Sequence, residues 1–317
     1  MFGLVLIAGA ASTVWALWND PSLREFPSEI HLVPLLLGFT IKLVNSFLGA
    51  GIWVMLFRGI GGRIGLRDGM RIYLVTSVAK YVPGKVTLVV ARVAMLKSYG
   101  QSAAHGISST VLELGFSLLV AAFVAVLVAP LLPWAGDLKP LLVGLGIVAL
   151  AAGLVVLHPR VVGPLLQRGQ RLLPRWITDA MSAPPPYATT LKVLGANVLL
   201  RLAGAFGLYG VVQSVYPLDA SWIPLLAGAS AIGYLFGFVL PLAPAGLGAR
   251  DGMMTLLLSA IVPLPIAAAI SVLDRLAGVL SELAAAGVML AFARLWGTPE
   301  ALAPLPAAPV VATSKLP

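Results

Sequence analysis

The chain has 317 residues, 59% of them hydrophobic and only 10% charged, with a mean hydropathy of +0.98 and a formal net charge of +9. This composition excludes a soluble globular domain and fits a polytopic membrane protein, whose cations belong to loops and anionic lipid surfaces and not to nucleic acid. With no cysteine, disulfides, thiolate catalysis and cysteine metal sites are excluded as well.

Apolar runs at about 2–18, 32–57, 106–132, 140–157, 192–215 and 265–293 predict six full membrane spans. The first lacks a basic leading region and a cleavage site, so it reads as a retained span. Two further apolar stretches, 72–96 and 222–262, are each broken. The first break is Tyr81-Val-Pro-Gly-Lys85 and the second Leu242-Ala-Pro-Ala-Gly-Leu-Gly248, with Pro83 and Pro244 as matched prolines. Proline and glycine interrupt a helix, and in lipid the freed backbone groups need protein or water partners. Thirty residues beyond each proline a lone carboxylate sits in the next span, Glu113 and then Asp274. Lys42 and Phe47 in the second span echo Arg201 and Phe206 at an offset of 159.

Loop charge sets the topology. Arg58, Arg63, Arg67 and Arg71 cluster in one loop, and Arg160, Arg168, Arg171, Arg175 and Lys192 around another. Short basic loops stay cytoplasmic, so both belong on one side. That requires 72–96 to dip in and return, and 222–262 to do so from the opposite face. The expected fold is therefore all-α, with two inverted-topology repeats, about six full spans and two re-entrant broken hairpins. The expected organisation is an N-terminal membrane repeat at 1–158, a basic cytoplasmic linker at 159–190, a C-terminal repeat at 191–297 and a disordered tail at 298–317. Both termini are placed in the cytoplasm of a cell membrane protein.

The breaks carry the chemistry. A half-helix beginning after each presents free N–H groups and a positive dipole end to an anion, and lipid phosphate is the natural anion in a bilayer. Gly84, Gly246 and Gly248 shape the breaks, while Lys80, Lys85, Arg92 and Arg250 flank them as candidate head-group contacts. Each also has a plainer reading, since long basic side chains snorkel to the interface. Glu113 and Asp274 are costly in a membrane unless paired, protonated or wet. They read either as a proton-coupled switch or as pins, Asp274 with Arg92 or Glu113 with Arg250. Lys42 and Arg201 either line the same cavity or snorkel. Arg275 is expected on a different face from Asp274, Glu282 has no evident partner, and Asp68 reads as a loop residue paired to a nearby arginine. No metal-ligand cluster or Walker A sequence is present, and no cofactor is expected.

The stretch Arg67-Asp-Gly-Met-Arg71, then Tyr81-Val-Pro-Gly84, Ala91-Arg92 and Glu113, and late in the chain Pro244-Ala-Gly-Leu-Gly-Ala-Arg-Asp-Gly252, resembles the lysylphosphatidylglycerol synthetase/flippase transmembrane-region family over roughly residues 5–295. The second motif is the more specific, because Arg250-Asp251 supplies the basic-acidic pair that the family places after its glycines. Ala245 stands where the family favours glycine, and Lys85 and Thr87 stand where glycines are common. The resemblance implies the lipid-translocating portion without an aminoacyl-transferase portion, and hence a non-enzymatic flippase-like protein whose partner is a membrane lipid or lipid-linked precursor. Alternatives are a membrane-embedded polyprenyl-phosphate transferase, a small-solute transporter, or a partner subunit of a glycan- or hopanoid-lipid assembly system. A homo-oligomer is also compatible with the sequence.

Overall fold

A computed structural model describes residues 30–81, 87–131, 185–239 and 248–295, with short pieces between 136 and 148. The predicted first span, most of the 140–157 span, the bulk of the linker and the tail lie outside these residues. So do Pro83, Gly84, Lys85, Pro244 and Gly246. Among the described residues the secondary structure is wholly helical. The helices are α1 (Leu32–Gly59), α2 (Leu66–Ser77), α3 (Thr87–Ser98), α4 (Ala103–Val128), α5 (Tyr187–Gln213), α6 (Ile223–Val239), α7 (Ala249–Leu258) and α8 (Leu264–Leu295).

Length sorts them. Four of the predicted spans appear as α1, α4, α5 and α8, each long and apolar enough to cross a bilayer. By contrast α2 and α3 have 12 residues each. At 1.5 Å per residue they reach about 18 Å, little more than half of a ~30 Å hydrocarbon core. Neither crosses alone, which agrees with a hairpin that enters and returns. The second broken segment differs from expectation in its first arm: Ala220–Phe238, a short 3-10 turn continued by α6, is itself long enough to span, while α7 has only 10 residues. The basic loop is also shorter than predicted. Arg67, Asp68 and Arg71 lie on α2, with Asp68 in its first turn, where the positive helix end favours an acid. Among the described residues Asp68 makes no ion pair with an arginine.

Local signals explain where elements begin. The Ser102 hydroxyl accepts the His105 N–H at 3.2 Å and caps α4. Gly248 starts α7 at φ +87°, a left-handed conformation that glycine adopts without strain. It is followed three residues on by Asp251, whose Oδ2 accepts the Gly248 N–H at 3.4 Å.

The bundle is organised around α1 and α5, the most extensively packed pair. Their backbones meet at glycines: a Cβ on Gly38 would lie 2.7 Å from the Gly207 carbonyl oxygen, and one on Gly210 would lie 2.7 Å from that of Pro34. Small residues that let helices approach this closely replace the hydrophobic drive that lipid cannot supply. The N-terminal end of α1 is tied to the C-terminal end of α5 by a His31 N–H to Ser214 carbonyl bond of 2.8 Å. Around this pair the contacts exchange in twos. Helix α4 packs on α3, α5, α6 and α1, and α8 packs on α7, α1, α2 and α5. Swapping the first four helices for the last four maps each of these contacts onto another. Buried apolar side chains fill the two ends: Trp53, Phe57, Ile72 and Leu96 between α1, α2 and α3, and Leu226, Met254, Leu258 and Ile270 between α6, α7 and α8.

Candidate functional site

Between these packed regions the helices enclose a cavity of about 750 Å³. Every described helix contributes to its wall, and the buried charges predicted from sequence converge there. Helix α1 supplies Lys42, α3 supplies Arg92, α4 Glu113, α5 Arg201 and α7 Arg250, while α8 contributes Asp274, Arg275 and Glu282. Lys80 and Tyr81 enter from the turn that ends the first arm of the first hairpin.

Both matched acids are ion-paired, but to other partners than expected. Sequence reasoning offered Asp274 with Arg92 and Glu113 with Arg250. Instead Glu113 accepts from Arg92 and Asp274 accepts from Arg250 at 3.0 Å, so each arginine serves the acid of its own half of the chain. The reason is connectivity. In each half the second hairpin arm is packed against the helix that follows it, which brings an arginine of that arm, Arg92 at the middle of α3 and Arg250 at the start of α7, to the acid on the next helix.

The two pairs differ in what surrounds them. Arg92 is 1% exposed and fully engaged: it bonds Glu113, approaches Thr76 and Thr110 at 3.3 and 3.5 Å, and lies over the rings of Trp53 and Tyr73 at 5.0 and 4.7 Å. Cation–π stacking and hydrogen bonds together compensate a charge that burial would otherwise penalise. Asp274 is the centre of a wider network. Its other oxygen accepts from Lys42 at 2.5 Å, which ties α8 to α1. Arg250 also lies 3.9 Å from Asp251, which in turn accepts from Arg275. The expectation that Arg275 faces away from Asp274 holds in this sense: it serves a different acid. Lower on α8, Glu282 accepts from Lys80 at 2.6 Å and from the Tyr81 hydroxyl at 2.9 Å.

A family model described as the lysylphosphatidylglycerol synthase TM region matches residues 1–286. The chain belongs to this family. Among curated proteins no match was found. As a member of the lysylphosphatidylglycerol synthase TM-region family, the chain is an integral membrane protein whose charged cavity lies among its apolar helices.

Of the candidate head-group residues, Arg92, Arg250 and Lys80 reach the cavity wall, each with an acidic partner. Gly248 does not line it and instead sets the backbone at the start of α7. Asp251 stands behind Arg250 and Arg275, organising cations. Sequence reasoning missed the place of Glu282 and left that of Arg201 open. Glu282 lies eight residues beyond Asp274, about two helical turns, so both share a face of α8; that spacing was available as a signal. Arg201 lines the cavity among the same charges, and only the tertiary contacts distinguish it from a snorkelling arginine.

Proposed function

We propose that this protein is a translocator that carries the anionic head of a lipid, such as a phospholipid or a polyprenyl-linked precursor, through the central cavity while the acyl chains stay in the bilayer. The observation that carries the reading is charge balance. Among the described residues six cationic side chains line the cavity (Lys42, Lys80, Arg92, Arg201, Arg250 and Arg275) against three acids, Glu113, Asp274 and Glu282. Asp251, behind the wall, brings the acids to four and leaves two cations over. Uncompensated cations inside a membrane are expensive and mark ion or substrate pathways. An anionic head completes the balance.

The paired exchange of helix contacts supports two related halves around one site; with the basic loops on one side, the halves are inverted and both termini lie in the cytoplasm of a cell membrane. The ion pairing of Glu113 and Asp274 favours pins over a proton switch. Reconstitution into liposomes with head-labelled lipids tests the proposal: the protein is expected to move at least one anionic lipid between leaflets. Failure to move any of phosphatidylglycerol, phosphatidic acid or a polyprenyl phosphate, by protein that elutes as a folded species, refutes it.

A further inference from the structure

Arg201 differs from every other cation of the cavity. Each of the other five has a carboxylate within 4 Å, and among the described residues Arg201 has none. Its interactions are the face of the Tyr234 ring at 4.7 Å and one long contact to the Ser117 carbonyl at 3.5 Å. Nor does it escape to water at the membrane surface. It lies fourteen residues from the start of α5 and twelve from its end. At 1.5 Å per residue that is roughly 18–21 Å in either direction, far beyond the reach of an arginine side chain. An arginine held mid-helix against an aromatic face, with one long contact to a carbonyl and open to a cavity, has most of its fork of donors unspent.

We infer that Arg201, backed by Tyr234, is where the oxyanion of the lipid head docks, and that the surplus cations select heads by net charge. The inference rests on the translocator reading. The ligand chemistry is a phosphate oxyanion, as a diester in a phospholipid or a monoester in a polyprenyl phosphate; both fit a planar guanidinium that donates two parallel bonds. A lysyl ester of phosphatidylglycerol adds two ammonium groups to one phosphodiester and becomes net cationic. The cavity repels it, so this chain takes the unmodified anionic head in preference to the aminoacylated one. Tyr234 acts as a positioning residue, holding the guanidinium by its ring face and leaving the donors aimed into the cavity.

The test is binding of short-chain phosphatidylglycerol, its lysyl ester, phosphatidylcholine and farnesyl phosphate to the purified full chain, alongside movement of labelled lipids in liposomes. Wild type is expected to bind phosphatidylglycerol or farnesyl phosphate, and whichever binds identifies the source of the oxyanion. The lysyl ester should bind about tenfold or more weakly than its parent, the order of one lost charge-assisted contact. Arg201→Gln should lower affinity for the bound anion about tenfold to a hundredfold, while Arg201→Lys restores part of it. Tyr234→Phe should keep the affinity and Tyr234→Leu lose it, since only the first retains the ring. Lys192→Ala, an exposed lysine on the same helix, is the neutral control. Unchanged affinity in Arg201→Gln, or equal binding of the lysyl ester, overturns the assignment. The two readings separate cleanly: movement indifferent to Arg201 removes this docking role and keeps translocation, whereas Arg201-dependent binding without movement keeps the docking role and removes translocation.

Discussion

Asp274→Asn should destabilise the folded protein, and the size of the effect follows from what Asp274 holds. The carboxylate is 3% exposed and accepts from two cations, Lys42 at 2.5 Å and Arg250 at 3.0 Å. Asparagine preserves the shape but removes the charge that both cations need. Two charge-assisted hydrogen bonds at about 1.5–3 kcal/mol each set an upper range of about 3–6 kcal/mol. Lys42 and Arg250 retain 15% and 26% exposure through the cavity, and Arg250 keeps Asp251 at 3.9 Å, so part of the loss is recovered by water and by the second acid. A net cost of about 3 kcal/mol is expected, at the low end for an orphaned buried ion pair. For a chain of 317 residues that lowers the thermal midpoint by roughly 4–5 °C. The assay is the thermal loss of the folded peak on size-exclusion chromatography in detergent. Asp274→Asn combined with Lys42→Met removes one stranded cation and should return a substantial part of the loss, giving a coupling energy that two independent sites would not show. A wild-type midpoint in Asp274→Asn, with only pH-gradient dependence of transport abolished, refutes the pin and makes Asp274 the proton carrier.

Gly210→Ala and Gly38→Ala should each lower stability by more than 1 kcal/mol, on the scale of overpacking, because the new methyl meets backbone at 2.7 Å. Gly195→Ala on the same helix as Gly210 meets nothing within 4 Å and should be neutral or stabilising by up to about 1 kcal/mol in a thermal assay. Lys80→Glu should impair transport, and Lys80→Glu with Glu282→Lys should restore it if the pair closes one side of the cavity; failure of the reversed pair assigns Lys80 a direct role on the head group. Reporter fusions in the 159–190 linker and at the C-terminus should both score cytoplasmic, and an external linker would require 72–96 to cross fully.

The architecture was legible because its signals are local. A proline-glycine break and a lone acid in an apolar run are readable one residue at a time, and α1, α4, α5 and α8 fell close to where hydropathy put them. Pairing was not legible, because it depends on which helix faces which. Glu113 and Asp274 were correctly singled out, yet each was assigned the other half's arginine: spacing says that an acid needs a cation but not which one is near. The polar stretch at 66–71 looked like loop because Arg67, Asp68 and Arg71 interrupt the apolar pattern, although a short helix with one wet face tolerates all three. Arg201 was marked in sequence only as the echo of Lys42, with lining the cavity and snorkelling left open. What sets it apart is that, among the described residues, no carboxylate comes within 4 Å of it although neighbouring helices carry acids, and that is a property of the assembled bundle.

The glycine crossing of α1 and α5 bears on how this molecule can deform. At Gly38 and Gly210 the helices meet backbone to backbone, while the Lys42 and Ile41 side chains pack beside Gly207. Turning one helix against the other at Gly38 and Gly210 requires no rotamer to change, so the contact works as a smooth bearing where the rest of the interface is toothed. Lys42 sits one helical turn beyond Gly38, and Arg201 lies less than two turns before Gly207. A few degrees of rotation at the crossing are carried directly into the spacing between these two cations of the cavity wall. The dimensions of the binding space are thereby tied to the angle of a single helix pair.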